Sequence, residues 1–384
     1  MSGIPLVDLA AAHAEVADEV AVGFARVLAT TGFVGGEDVA AFEAEYAAFG
    51  AVRHCVGVAN GTDAVELALR AVGVGPGDEV VVPANTFVAT AEAVARVGAR
   101  PVFVDCDPLT YLIDVGAALA AVGPATKAIV PVHLYGQMAP VEQLAAGLAG
   151  SGVRLVEDAA QCQGATRGGR TPGSGPGAIA ATSFYPGKNL GAYGDAGAVV
   201  TDDEELAATV RMLGAHGGRA KYVHEIVGVN SRLDALQAVV LRAKLRRLAG
   251  WNEARRAAAA HYDKALSGLA GLGTPGVLAG NEHVWHLYVV RLDGTAAERD
   301  AVVGDVNARG VGAGIHYPVP VHQTPAFAPL APRAGTVVHA ERLAGQILSL
   351  PLHPHITTEQ QDHVVSALTT AWEAVAQPGR SSRR

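Results

Sequence analysis

Short apolar runs rich in β-branched residues alternate with helical stretches along the first half of the chain. The runs occupy residues 79–82, 101–105, 128–132, 154–156 and 198–201. The helical stretches between them cover 89–97, 115–122 and 141–149. Near-continuous apolar strands separated by helices are typical of a mostly parallel sheet with helices on both faces. The sequence therefore predicts an α/β fold.

Polar residues lie at or just after the ends of three of these predicted strands. In open sheets of this kind a ligand lies beyond the carboxyl ends of the strands. We therefore expect residues 85–87, 105–107 and 157–161 to surround one binding mouth.

The pattern changes in the last third of the chain, after a long helical segment at 233–262. Shorter strand-like and helical stretches follow it at 286–291, 298–309 and 311–316. This second set of elements predicts a separate, smaller domain.

We place the domain boundary near Trp251. The prediction is a large domain at 1–250, which includes the N-terminal segment, and a small domain at 251–376. Residues 377–384 combine Pro378 and Gly379 with several arginines and are predicted to be a disordered tail.

Composition excludes several classes of partner. The 384-residue chain has a net charge of −8 and its body has no basic run, which argues against nucleic acid. Its three cysteines are odd in number and lack metal or redox spacing, which fits a reducing compartment and no metal site.

No signal peptide and no apolar run of ~18 residues is apparent. We expect a soluble, cytoplasmic protein that does not bind membranes.

The segment 182–191 carries the most informative lysine, Lys188, which follows an apolar strand and lies among glycine and proline residues. A lysine that forms a Schiff base must have its ammonium state disfavoured, and partial burial does this. A surface lysine in a loop is the alternative interpretation.

Two further motifs favour the Schiff base. Glu157 and Asp158 end an apolar run, and a buried carboxylate can keep a pyridine nitrogen protonated, which makes the ring an electron sink. Gly61 and Thr62 open a predicted helix at 64–72, whose N-terminus can bind a phosphate. Helix capping is the alternative for both motifs. Together the three motifs indicate a site for a phosphorylated pyridine aldehyde.

Several ordered motifs add a family resemblance. They lie at 83–87, 131–136, 157–161, 183–195, 228–233 and 316–318. In sequence and in their order along the chain, these motifs resemble those of the DegT/DnrJ/StrS sugar aminotransferases, a branch of the aspartate aminotransferase-like fold (fold type I). The resemblance implies pyridoxal 5'-phosphate as the cofactor. It also implies a large domain with a mostly parallel seven-stranded sheet flanked by helices, and a smaller α+β C-terminal domain.

The resemblance assigns a role to each matching position. Lys188 would carry the cofactor and move protons, and Asp158 would pair with the pyridine nitrogen. The other implied cofactor contacts are Gln161 beside the ring hydroxyl, Phe87 on the ring face, Gly61, Thr62 and Ser183 at the phosphate, and Asn230 at the phosphate of the neighbouring subunit. The active unit would then be a homodimer with shared active sites. The alternative for Phe87 is that it is an aromatic residue of the hydrophobic core and does not contact the cofactor.

The implied reaction is a ping-pong transfer of an amino group from L-glutamate, which leaves as 2-oxoglutarate, to a nucleotide-linked keto-hexose. The sequences of segments 183–195 and 316–318 resemble those of enzymes that aminate C3 of a dTDP-3-keto-6-deoxyhexose in the biosynthesis of antibiotic deoxyamino sugars. Amination at C4 of a dTDP- or UDP-4-keto-hexose is the alternative. The residues predicted to contact the sugar nucleotide, each with a packing or loop role as its alternative, are Tyr185, Arg219, Tyr222, His316 and Tyr317.

The sequence departs from the family pattern at one position, and two rival functions remain. Gln163 stands where the family commonly has histidine, so acceptor preference is expected to shift if that position touches substrate. A sugar dehydratase of the same family would carry histidine in place of Lys188, and some contain an iron–sulfur cluster, for which the scattered cysteines are unsuited. A non-catalytic cofactor-binding regulator is the second rival, and the acidic charge and lack of a DNA-binding module argue against it.

Overall fold

The computed structural model describes residues 3–175, 178–220, 222–330 and 336–376. The predicted disordered tail at 377–384 lies outside the described residues.

The strands of the described residues are β1 (His54–Val58), β2 (Glu79–Pro83), β3 (Arg100–Val104), β4 (Thr126–Ile129), β5 (Arg154–Asp158), β6 (Thr166–Arg167), β7 (Ile179–Ser183), β8 (Gly197–Thr201), β9 (Leu272–Gly273), β10 (Asn281–Glu282), β11 (Tyr288–Leu292) and β12 (Ile347–Leu350). The α-helices of the same part of the chain are α1 (Leu9–Ala14), α2 (Ala17–Thr30), α3 (Glu37–Phe49), α4 (Gly61–Ala71), α5 (Val88–Arg96), α6 (Val115–Ala120), α7 (Val141–Gly147), α8 (Glu204–Gly214), α9 (Ala235–Leu266), α10 (Ala296–Ala308), α11 (Val338–Ala344) and α12 (Thr358–Ala376).

Seven strands form the main sheet, in the order β1-β8-β7-β5-β4-β2-β3. The pairs from β7 to β3 are parallel, and β8 is antiparallel to both of its neighbours. The predicted mostly parallel, seven-stranded sheet is therefore confirmed. Its central strands are almost wholly buried, which explains their continuous apolar sequences.

Helix α4 illustrates how the sequence sets a boundary next to the sheet. Asn60 is its N-cap, and the Asn60 Oδ1 atom accepts the Asp63 N–H at 2.8 Å. The helix buries Leu67 and Leu69 against the sheet. After its C-terminus Gly73 takes a φ of +81°, a conformation that glycine adopts most easily.

The C-terminal part of the chain has its own sheet and core. Strands β9, β11 and β12 form a three-stranded antiparallel sheet in the order β12-β11-β9. The core beside it joins Tyr262 of α9, Tyr288, Leu348 and Trp372. This arrangement agrees with the α+β character expected for the C-terminal region.

Helix α9 spans both parts of the molecule. Leu241 and Leu248 belong to a core cluster under the main sheet, whereas Tyr262 and Leu266 belong to the C-terminal core. The predicted boundary at residue 250 falls inside this helix, and the division into two domains stays a prediction. Among the described helices, none is both long enough and apolar enough to cross a membrane.

Candidate active site

Lys188 lies in the loop that follows β7. Its backbone N–H donates to the Tyr185 carbonyl at 2.8 Å. Burial lowers the pKa of the Lys188 ammonium to about 8, although nearby Asp158 and Cys162 act to raise it. The pKa moves in the direction that a Schiff-base lysine requires, because an imine forms from the neutral amine.

Asp158 is the last residue of β5 and is buried. Thr90 Oγ1 donates to Asp158 Oδ2 at 2.7 Å, and the Ala160 N–H donates to Oδ1 at 3.1 Å. Thr90 is in turn 2.8 Å from Thr86 Oγ1. In the described part of the chain Asp158 has no ion pair with an arginine, lysine or histidine within 4.0 Å. Neutral donors therefore orient this carboxylate, and it is free to face a cationic group.

Glu157, the other acid of this motif, has a different environment. Neighbouring residues of a strand face opposite sides of the sheet. Glu157 Oε1 accepts the Gly173 N–H at 3.1 Å, and Oε2 lies 2.8 Å from His133 Nε2. His133 Nδ1 accepts the Ala139 N–H at 3.0 Å, so Nε2 carries the proton and donates to Glu157. Glu157 is thus a buried structural acid.

Gly61 and Ser183 meet where α4 begins and β7 ends. A Cβ atom at position 61 would lie 2.5 Å from Ser183 Cβ and 2.9 Å from Ser183 Oγ. Glycine is therefore the residue that allows this close approach. The first N–H groups of a helix have no partner within the helix, and Thr62 is in this first turn. The three residues form a small polar cradle that suits a phosphate.

Gln161 connects the end of β5 to residues from distant parts of the chain. Its Oε1 atom accepts the Tyr135 N–H at 2.7 Å, and its Nε2 atom donates to Tyr317 Oη at 3.1 Å. The Tyr317 ring lies 5.4 Å from the Phe87 ring, centroid to centroid. Phe87 is 52% exposed, so it is not the core aromatic that the alternative interpretation describes.

Two histidines lie near Lys188. His316 Nδ1 is 2.8 Å from Ser349 Oγ, and burial together with the Lys188 charge lowers the pKa of His316 to about 4. Burial and the same lysine lower the pKa of His286 well below its ordinary value. Both rings are therefore neutral at pH 7. His286 Nδ1 lies 3.2 Å from Asn189 Oδ1, next to Lys188 in the chain.

Gln163, which replaces a common histidine of the family, is buried and contacts other protein groups. The two hydrogens of its Nε2 atom face three oxygen atoms: the Ala160 and Ser183 carbonyls at 3.2 and 2.8 Å, and Thr182 Oγ1 at 3.1 Å. This side chain ties the segment after β5 to the end of β7.

The remaining predicted residues lie further out. Tyr185 is 59% exposed and Tyr222 is 81% exposed. Arg219 Nε lies 3.8 Å from Glu225 Oε2 on the same exposed segment. Asn230 is exposed, and its Oδ1 atom accepts from Arg232 Nε at 3.2 Å. Arg219, Tyr222 and Asn230 are thus all exposed on the surface of the single chain.

Sequence reasoning missed three contributors. Thr90 and His286 carry no motif of their own and are recognised only from their contacts. Tyr135, by contrast, lies in the motif at 131–136. It has a φ of +60°, and its hydroxyl donates to the His316 carbonyl. Tyr135 therefore bridges Gln161 and His316.

Comparisons with known proteins agree with this geometry. The model of the DegT/DnrJ/EryC1/StrS aminotransferase family matches residues 15–369. The dTDP-3-amino-3,4,6-trideoxy-alpha-D-glucose transaminase of Streptomyces venezuelae is 46% identical over 374 residues, which cover 97% of this chain and 97% of that protein.

Two solved structures are similar along almost the whole chain. The structure of S. venezuelae DesV in complex with a ketimine intermediate superimposes with a TM-score of 0.93 at 45% identity, covering 97% of this chain and 99% of DesV. NtdA from Bacillus subtilis with bound cofactor PMP gives a TM-score of 0.88 at 32% identity, covering 97% and 86%. The chain therefore belongs to the DegT/DnrJ/EryC1/StrS aminotransferase family and is a pyridoxal phosphate-dependent transaminase of fold type I.

Proposed function

We propose that this enzyme transfers the amino group of L-glutamate to C3 of a dTDP-linked 3-keto-6-deoxyhexose, in the biosynthesis of a deoxyamino sugar. The observation that carries the chemistry is Lys188, whose pKa of about 8 and neighbour Asp158 suit a cofactor-bearing lysine. The acceptor is inferred from the 46% identical transaminase, whose name specifies a 3-amino sugar linked to dTDP.

The residues of the site fit pyridoxal phosphate. Because any larger residue at position 61 would collide with Ser183, the backbone at the start of α4 lies directly beside Ser183, and Gly61, Thr62 and Ser183 would bind the phosphate together. Asp158 is a buried carboxylate with neutral hydrogen-bond partners, which a protonated pyridine nitrogen would complete. The exposed face of Phe87 is available for the ring. When bound, the cofactor withdraws electrons from the amino-bearing carbon and so acidifies its C–H bond.

Lys188 supplies the proton transfers. Burial leaves a larger fraction of its amine neutral near pH 7 than an exposed lysine would have. Once the amino donor has displaced it, the neutral Nζ atom of Lys188 would take the proton from the α-carbon of glutamate and hold it as an ammonium for delivery to the cofactor. During amination of the keto sugar the same atom moves a proton in the reverse direction.

The other predicted residues hold the reactants. Asp158, oriented by Thr90 and Ala160, keeps the ring nitrogen positively charged. Gln161 would contact the hydroxyl side of the ring, and Tyr317, which accepts a hydrogen bond from the Gln161 amide, would contact the sugar. His316 is neutral and acts as a hydrogen-bond partner of the sugar nucleotide together with Tyr185.

We further propose that the active unit is a homodimer. Asn230, Arg219 and Tyr222 are exposed on one chain, and a second copy would bring them to the other site, with Asn230 at the phosphate. Arg219 can then form charge-assisted bonds with a nucleotide phosphate. The variant Asn230→Ala is expected to release the cofactor faster than the wild type on dialysis, with the dimer intact by analytical ultracentrifugation. Equal retention would refute the role of Asn230.

The acceptor is tested by product analysis. The enzyme, loaded with cofactor and supplied with L-glutamate, is incubated with dTDP-linked 3-keto and 4-keto sugars and with a UDP-linked 4-keto sugar. Formation of a 3-amino product from the dTDP-linked 3-keto sugar, identified by NMR, supports the proposal. Turnover confined to a 4-keto sugar would replace C3 by C4, and the variant Lys188→Ala controls for uncatalysed reaction.

A further inference from the structure

The loop that carries Lys188 is closed by short-range backbone contacts. The Phe184 N–H donates to the Ala196 carbonyl at 2.8 Å, and the Ala192 N–H donates to the Phe184 carbonyl at 2.8 Å. A Cβ atom at Gly191 would lie 2.2 Å from the Pro186 carbonyl oxygen. The two sides of the loop therefore touch between Pro186 and Gly191, with Lys188 between these contact points.

A second lysine holds this loop from outside. Lys244 lies on α9 and is 4% exposed. Its Nζ atom donates to the Gly191 carbonyl at 2.7 Å and lies 4.7 Å from the centroid of the Tyr193 ring. Within the described residues Lys244 has no carboxylate partner within 4.0 Å. A carbonyl oxygen and an aromatic face are thus its identified contacts.

Such a contact is unusual for a buried ammonium. Burial without a carboxylate disfavours the charged form, and it lowers the pKa of Lys244 to about 8. The carbonyl dipole and the ring face offset part of this penalty. A carbonyl that accepts from an ammonium is held more firmly than one that accepts from a neutral donor.

Gln237 adds a second contact from the same helix. Its Oε1 atom accepts the Tyr193 N–H at 2.8 Å. Positions 237 and 244 are two helical turns apart and share one face of α9. Helix α9 therefore holds the loop at Gly191 through Lys244 and at Tyr193 through both side chains.

We propose that Lys244 is a positioning residue for Lys188: through the Gly191 carbonyl it fixes the loop that presents the catalytic amine. The inference rests on the proposed role of Lys188 as the cofactor-bearing residue. Lys244 does not contact the reacting atoms in this account. It acts by restricting the loop, and a displacement of about 1 Å at a catalytic group can lower a rate by about a hundredfold.

The test compares Lys244→Met with Lys264→Met, a matched control at an exposed position of the same helix. The first readout is hydrogen–deuterium exchange of peptide 184–196 in the cofactor-free protein. We expect faster exchange in Lys244→Met, confined to this peptide. The second readout is the single-turnover rate with L-glutamate in the loaded enzyme, expected to fall about tenfold while the glutamate dissociation constant changes less than about twofold.

A third variant, Lys244→Gln, keeps a donor without the charge and is expected to give intermediate values. It replaces Lys244→Met if that variant does not fold. The proposal is overturned if the Lys244 variants match Lys264→Met in both readouts, or if exchange rises equally along the whole of α9. If the wild type itself does not react with glutamate, the proposed function fails. The hydrogen–deuterium exchange of peptide 184–196 still decides in that case whether Lys244 holds the loop.

Discussion

At the scale of single residues, Asp158 is the carboxylate whose negative charge is required at the ring nitrogen of the cofactor. We expect Asp158→Asn to fold normally and to lower kcat about a hundredfold, because the amide cannot stabilise a positive charge on the ring nitrogen. Thr90→Ala removes one hydrogen bond to the same carboxylate and should lower kcat by less. Steady-state kinetics with L-glutamate measures both. An Asp158→Asn enzyme as fast as Thr90→Ala would contradict the assigned role.

A second prediction concerns the phosphate cradle. Gly61→Ala places a methyl group 2.5 Å from Ser183 Cβ, so the start of α4 or the end of β7 must move. We expect the dissociation constant of pyridoxal phosphate to rise about tenfold, in line with a lost charge-assisted hydrogen bond. Gly75→Ala is the control, since nothing lies within 4 Å of a Cβ atom there. Equal cofactor affinity in the two variants would remove Gly61 from the cradle.

Sequence reasoning reached some of these residues because their chemistry is local. Lys188 and Asp158 each lie in a motif that limits what they can do, and the structure places them close enough for Asp158 to influence the lysine pKa. Thr90 and His286 could not be found in this way. Their roles come from contacts with residues 68 and 97 positions away, which no local pattern records.

At the scale of elements, Gln163 predicts a measurable link between β7 and the segment after β5. The two hydrogens of its amide face three oxygen atoms, and a carboxylate in their place could not donate to any of them. We therefore expect Gln163→Glu to lower the free energy of unfolding by about 2 kcal/mol. Denaturant titration against Gln323→Glu, an exposed control, provides the comparison. If the two variants were equally stable, Gln163 would not link these elements.

The strands were predictable where their sequences are long and apolar. Strands β2, β3 and β5 coincide with predicted runs to within two residues at each end. Strand β7 was expected only as an apolar strand before Lys188, without bounds, because its sequence from Ile179 to Ser183 is short and rich in alanine. Strand β7 is buried because it lies between β5 and β8 in the sheet, and its own short side chains do not indicate this position.

At the scale of the whole molecule, buried neutral histidines predict acid sensitivity. Burial lowers the pKa of His283 to about 3 and of His316 and His353 to about 4, from an unfolded value near 6.5. Below pH 6.5 the unfolded chain binds protons that the folded protein does not, so stability falls as the pH falls.

The size of this effect can be measured by thermal unfolding. We expect Tm to decrease between pH 6.5 and pH 5, before most carboxylates begin to titrate. A calorimetric scan in buffers of different ionisation enthalpy would also detect the uptake of protons on unfolding. A constant Tm across this window would mean that folding does not lower the pKa values of these rings.

Lys188 is the central residue: it binds the cofactor, and an amino donor then displaces it from the cofactor. The most direct measurement is the absorption spectrum of the protein with pyridoxal phosphate, before and after L-glutamate, for the wild type and Lys188→Ala. We predict a lysine-bound band in the wild type that converts to the amino form of the cofactor with glutamate, and neither in Lys188→Ala. The same band and the same conversion in Lys188→Ala would contradict the account.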